Sequence, residues 1–227
     1  MSVFRTERRG ETLLVTLDRP PLNALNAETL EEGAMLLQSV ADEPPAGGLV
    51  LTGANGVLTA GVDIKQAADA DEALRRRLFW GINDFCAALI RLPCAYVCAV
   101  PGHAIGAGGI IAIAADWTVI ADADLKIGLP EAKAGLAFPQ VPQIVMEYGL
   151  DPVWHRRLAL SSRLLGAAEA IETGLADELA LPERTIEKAV ERAKELADQP
   201  AFNEVKANMR RKAWADIDAV YATRGTK

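Results

Sequence analysis

Cysteine and histidine are both scarce in this chain: its 227 residues contain three of the first and two of the second. Cys86, Cys94 and Cys98 are odd in number and set in apolar surroundings, and no His or Cys pair follows at a zinc spacing. That argues against a disulfide framework and a structural zinc site. It leaves three buried free thiols, as suits a reducing compartment. Neither His103 nor His155 has an acid or nucleophile at a telling spacing, and no serine stands in a G-x-S-x-G elbow, so a Ser-His-Asp hydrolase lacks its first part. Positive charge is also short, with 24 Lys and Arg against 31 Asp and Glu and a net charge of −7. A nucleic-acid binder would normally show a basic patch. No unbroken apolar run reaches the ~18 residues of a membrane span, and the opening MSVFRTERRGET has no apolar leader core. A cytoplasmic protein with no membrane or nucleic-acid partner is expected.

What is present is the balance of a globular enzyme. Half the residues are hydrophobic and 24% are charged, which a disordered chain would not combine. The length allows one large domain, or one domain with an appendage. Val3 to Leu17 reads as a hairpin turning at Arg9-Gly10. A helix over 27–42 follows, capped by Asn26, with Leu30, Ala34, Leu37 and Ala41 on one face. Leu49 to Thr52 is a short buried strand, and a helix over 71–91 carries Leu74, Leu78, Ile82, Phe85 and Leu89 on one stripe with Arg75, Arg76 and Arg77 largely outside it. Strands at 95–100 and 117–121 flank a short buried helix over 106–115. This alternation predicts an α/β fold with a mostly parallel sheet. Helices are expected over 141–149, 151–160, 167–173, 183–197 and 202–221, the last with Val205, Met209, Ala213, Ile217 and Val220 inward. Residues 1–140 are therefore read as the α/β core holding the site, and 141–227 as a helical region of the same structural unit.

Three segments carry chemistry. Gly106-Ala107-Gly108-Gly109 follows a strand and opens an apolar helix, whose first N–H groups have no intrahelical partner. Glycines there also suit simple close packing. A dinucleotide fingerprint fits poorly, because Ile111 takes the third small position and Pro101 to Ile105 separate strand from glycine. Leu58 to Lys65 reads alone as a loop in which Asp63 caps the helix behind it. Beside the glycine cluster, its Ala60-Gly61-Val62 segment could present a second N–H to the same point. Glu131 is a lone acid after Leu129-Pro130, with Ile127, Leu129, Leu136 and Phe138 near it in sequence. Such surroundings should lift its pKa into the range of a general base near neutral pH. An ion pair with Lys126 or Lys133 is the plainer alternative.

Taken together, these residues resemble the enoyl-CoA hydratase/isomerase (crotonase) superfamily from about Val15 to Leu179. The likeness rests on Asp18-Arg19-Pro20 with Asn23-Ala24-Leu25, on Thr59 to Lys65, on Val100 to Gly109 through Asp116, and on Gly128-Leu129-Pro130-Glu131. It implies a crotonase-like spiral of ββα repeats with a helical C-terminal region that builds trimers or pairs of trimers. It further implies an acyl-CoA thioester as substrate, with no cofactor beyond that coenzyme A and no metal. By motif position the thioester oxygen would sit between the N–H groups of Val62 and Ala107, where the family usually has glycine at the second. The coenzyme and acyl group would lie against Asn23, Ala24, Leu25, Ala60, Gly61, Asp63, Ile64 and Lys65, with Gly106, Gly108, Ile110, Pro130 and Phe138 completing the pocket. Acyl length would depend on the packing of Phe79, Trp80, Phe138 and the C-terminal helix.

The sequence also departs from the pattern. Hydratases of the family carry two glutamates, and here the first position is Ile110, leaving Glu131 alone. The aspartate of dehalogenase and ring-closing relatives is replaced by Pro139 and Gln140. One carboxylate is what the Δ3,Δ2-enoyl-CoA isomerases of the family use to move a proton from C2 to C4. A hydratase, or another enolate-forming acyl-CoA lyase or hydrolase working with one acid, is the second reading, and a non-catalytic acyl-CoA binder the third.

Overall fold

The computed structural model describes residues 2–224. β1 (Phe4–Arg9) and β2 (Thr12–Leu17) form the expected hairpin, with Phe4 opposite Leu17 and Arg9 opposite Thr12. α1 (Ala27–Asp42) begins where the Asn26 side chain accepts the Thr29 N–H at 2.9 Å. Three strand-strand-helix units follow. The first is β3 (Leu49–Gly53) and β4 (Val57–Thr59), then α2 (Ile64–Ala68) and α3 (Glu72–Ile90), capped by Asp63 and Asp71. The second is β5 (Tyr96–Val100), β6 (His103–Ile105) and α4 (Ala107–Ile113). The third is β7 (Trp117–Ala121), β8 (Ile127–Gly128) and α5 (Gln140–Gly149). Then come α6 (Pro152–Ser161), β9 (Leu164–Leu165), α7 (Ala167–Glu172), β10 (Glu178–Ala180), α8 (Thr185–Ala197) and α9 (Phe202–Ala222).

Each unit sends its first strand to one sheet and its second to another. The large sheet has the order β1-β2-β3-β5-β7-β10, parallel everywhere except the β1/β2 hairpin, and the small one has β4-β6-β8-β9. That is the ββα spiral. Its inner strands are covered on both faces, which is why Leu49–Leu51 and Tyr96–Val100 are apolar without alternation. The chain after residue 140 is not wholly helical: β9 closes the small sheet and β10 extends the large one.

Two helix faces differ from expectation. On α1 the buried positions are Leu30, Gly33, Leu37 and Val40, whereas Ala34 and Ala41 are only half-buried. On α9, Val205 and Met209 are 53% and 66% exposed, and the buried residues in their place are Lys206 and Arg210. The cause is Asp116, just beyond α4. Its carboxylate takes the Lys206 ammonium and the Arg210 guanidinium, each at 2.6 Å, and the Tyr96 N–H at 2.8 Å. A buried carboxylate between two cations offsets part of the desolvation that these charges would suffer alone; burial still holds the Lys206 pKa below its ordinary value. No described helix is long and apolar enough to cross a membrane.

Candidate active site

The segment Asn23 to Leu25 and the loop after β4 are stitched together by backbone bonds. Leu25 N–H donates to Gly61 O, Asp63 N–H to Leu25 O, and Ala60 N–H to Leu22 O. Asn23 sits at φ +54 and its amide donates to Ala54 O and Val57 O, while Arg19 bonds both Ala24 O and the Asp63 carboxylate. Burial works against the Asp63 carboxylate, but hydrogen bonds from Gln66 and Arg19 hold its pKa below the ordinary value. In the parallel bridge between Leu25 and Val62, the residues on either side of Val62 make the bonds, so the Val62 N–H points the other way. Among the described residues it has no partner.

Gly61, beside Val62, lies so close to the start of α4 that an added Cβ would fall 2.7 Å from Ile105 O and 3.6 Å from the Ala107 N. Gly61 also has φ +87, a conformation that excludes side chains for a second reason. Ala107 is the first residue of α4, and among the described residues its N–H has no partner either. Two free donors from different segments therefore border one space.

Glu131 faces the same space. Gly106, at φ +58, makes room for it: a Cβ there would lie 2.8 Å from Glu131 Oε1. Among the described residues the carboxylate has no ion pair, so the alternative with Lys126 or Lys133 fails, and its buried Oε2 has no hydrogen-bond partner at all. Desolvation by burial lifts its pKa from the ordinary 4.5 to about 7. An unpaired carboxylate that titrates near neutrality in an apolar wall is the arrangement of a general base.

Val62, Ala107, Ile110, Glu131 and Phe138 line one cavity of about 320 Å³. Ile110, 1% exposed, adds a hydrocarbon to that wall. The remaining predicted residues lie outside the cavity wall. Asn23, Ala24, Leu25, half-buried Ala60, Gly61 and Asp63 hold the loop, whereas Ile64 and Lys65 are exposed. Gly106 and Pro130 flank Glu131. Gly108 is buried against Thr59, where an added Cβ would come within 3.0 Å of the Thr59 methyl and 3.1 Å of its carbonyl oxygen, so its role is close packing. Trp80 turns to Tyr221, ring centroids 5.9 Å apart, and does not line the cavity; Phe79 does. Sequence reasoning missed Ala67, Arg75, Ala137, Pro139 and Pro142 as lining residues, and read Leu78 and Ile82 only as a helix stripe. The available signal was the spacing of Arg75, Leu78, Phe79 and Ile82 along one side of α3. Among the described residues no three His, Cys, Asp or Glu side chains converge to hold a metal ion.

The family model for enoyl-CoA hydratase/isomerase matches residues 7–224. The chain belongs to that family. Among its curated relatives is the carnitinyl-CoA dehydratase of Escherichia coli K12, 30% identical over 195 residues that span 84% of this chain and 73% of the relative. A probable enoyl-CoA hydratase of Mycobacterium bovis is 29% identical over 192 residues, 82% of this chain and 71% of its own. Among solved structures, human mitochondrial Δ3-Δ2-enoyl-CoA isomerase superposes with a TM-score of 0.88 at 23% identity, covering 98% of this chain and 87% of that one. An enoyl-CoA hydratase of Mycobacterium ulcerans gives 0.87 at 23% identity, covering 96% and 95%. These superpositions establish the crotonase fold. Members of the enoyl-CoA hydratase/isomerase family are enzymes acting on acyl-CoA thioesters, and they include both hydratases and isomerases.

Proposed function

We propose that this family member shifts a double bond, converting 3-enoyl-CoA to 2-enoyl-CoA with Glu131 as the only acid–base group. The observation that carries the reading is the cavity wall itself, with one unpaired carboxylate and Ile110 at the position where the family's hydratases carry their other glutamate. Glu131 takes a proton from C2 of the thioester, and the electron pair moves into the carbonyl to give an enolate. The Val62 and Ala107 N–H groups receive that oxygen, each worth about 2.7–4 kcal/mol in the transition state. When the electrons return, the double bond forms between C2 and C3 and the protonated Glu131 delivers its proton to C4. Atoms and charge balance within the substrate, so the coenzyme A already attached is the sole group required.

Hydration would need a water both held and deprotonated, and Ile110 offers it no hydrogen bond. The dehydratase and hydratase names among the relatives favour this second reading. The two are separated by measuring 3-enoyl-CoA isomerisation and crotonyl-CoA hydration side by side. Isomerisation should dominate and fall about 10²- to 10⁴-fold in Glu131→Gln. Hydration well above isomerisation would favour a hydratase, and tight thioester binding with no turnover a binder. The proposed assembly is a homotrimer or a pair of trimers, and the proposed location is the cytoplasm, where three buried free thiols stay reduced.

A further inference from the structure

The cavity that holds Glu131 has one other charged residue in its wall, Arg75. Apart from these two groups its lining is apolar. Arg75 shares a face of α3 with Leu78, Phe79 and Ile82, at the helical spacing that aligns them, so it stands at one end of the hydrocarbon stripe. It is exposed and also borders the adjoining hollow with Glu72, Arg76, Phe79 and Trp80, which sets it at the edge of the cavity.

Its pairing is unlike that of its neighbour. Arg77 is held by Glu28 and Glu31 at 3.0 and 2.7 Å. The Arg75 side chain has no hydrogen bond or ion pair among the described residues, and Asp71, one turn back, is turned to the Leu74 N–H. A guanidinium left unpaired against an apolar wall is a donor fork awaiting a planar anion.

We propose that Arg75 selects acyl-CoA substrates whose acyl chain ends in a carboxylate, the guanidinium binding that far group while the chain lies along Leu78, Phe79 and Ile82. This deepens the proposed reaction and rests on it for the placement of the thioester near Glu131. It does not rest on turnover. Calorimetric titration of the full chain with hexanoyl-CoA and adipyl-CoA, neither of which has a double bond to shift, reads the contact directly. The wild type should bind adipyl-CoA about tenfold more tightly, as one charge-assisted contact in a partly exposed cleft gives. Arg75→Met should remove that preference, Arg75→Lys should retain part of it, and Arg75→Glu should reverse it.

Equal affinity of the wild type for the two thioesters overturns the proposal, as does a preference that survives in Arg75→Met. So does a loss in Arg75→Met that is the same for both, because the arginine would then be reading the coenzyme's phosphates. A protein that binds adipyl-CoA selectively through Arg75 yet leaves 3-enoyl-CoA unchanged would refute the reaction and keep the selectivity.

Discussion

Replacing Glu131 by glutamine should make the protein more stable, and by an amount that grows with pH. The carboxyl titrates near 7 in the folded protein against an ordinary 4.5, because burial disfavours its charged form and nothing bonds to Oε2. Between those two values the folded state holds a proton that the unfolded chain has released. Stability therefore falls as pH rises through 4.5 towards 7, and the penalty is complete above 7. At about 1.36 kcal/mol per pH unit the interval corresponds to roughly 3 kcal/mol. Glu131 borders an open cavity, so solvent screening should reduce this to about 1–2 kcal/mol.

Glutamine has nearly the same shape and no charge to desolvate. Urea unfolding of both proteins at pH 5 and pH 8.5, at one protomer concentration, isolates the effect, since oligomerisation contributes equally to each. The stability of Glu131→Gln relative to wild type should rise by about 1–2 kcal/mol between the two pH values. The pH profile of wild-type kcat/KM should rise over the same interval as the base ionises. A difference between the two proteins that stays constant with pH would show that the carboxylate is solvated or paired in solution, and the argument for a desolvated base would fail.

Gly106→Ala should cost activity without removing any reactive group. Its Cβ would press on Glu131 Oε1 at 2.8 Å and sit on a backbone with φ +58, so kcat should drop at least tenfold and stability by about 1–3 kcal/mol, read by steady-state kinetics and urea unfolding. Asp116→Ala should lower stability by about 3–5 kcal/mol, because Lys206 and Arg210 would be left charged and buried without their anion; thermal unfolding measures it, and a loss under 1 kcal/mol would mean that water reaches the cluster.

The helices with strong apolar periodicity were legible in the sequence, as were the caps at Asn26 and Asp63. The small sheet was not, because β6, β8 and β9 are two or three residues long and too short to show alternation. The phase of α9 was missed for a different reason. Its buried positions, Lys206, Arg210, Ala213, Ile217 and Val220, keep a regular helical spacing. Two of the five are charged, and Val205 and Met209 next to them imitate the stripe. The partner that makes burial possible, Asp116, is some ninety residues away, so local patterning could not reveal it. At the site, the motifs made legible that Glu131, Val62 and Ala107 border one space, because those motifs require particular backbone shapes. Arg75 was hidden among three consecutive arginines, and only its spacing to Leu78, Phe79 and Ile82 set it apart from its neighbours.

The charged cluster and the cavity are linked through α4, whose two ends are treated in opposite ways. At its C-terminal end Arg210 donates to Ala114 O at 3.0 Å and to Ile90 O at 2.9 Å, and Lys206 donates to Cys94 O at 2.6 Å. Cations thus satisfy the carbonyls at the ends of α3 and α4, where the helix dipoles are negative. At the other end the Ala107 N–H is left free in an apolar space. An orphan donor there is a cost to folding, and the seven-residue α4 is too short to hold its position by its own hydrogen bonds. Fixing its far end to α9 through Asp116 is what lets the near end stay open. In the proposed reaction the C-terminal helix would act from a distance, by keeping an unsatisfied amide in place for a substrate oxygen.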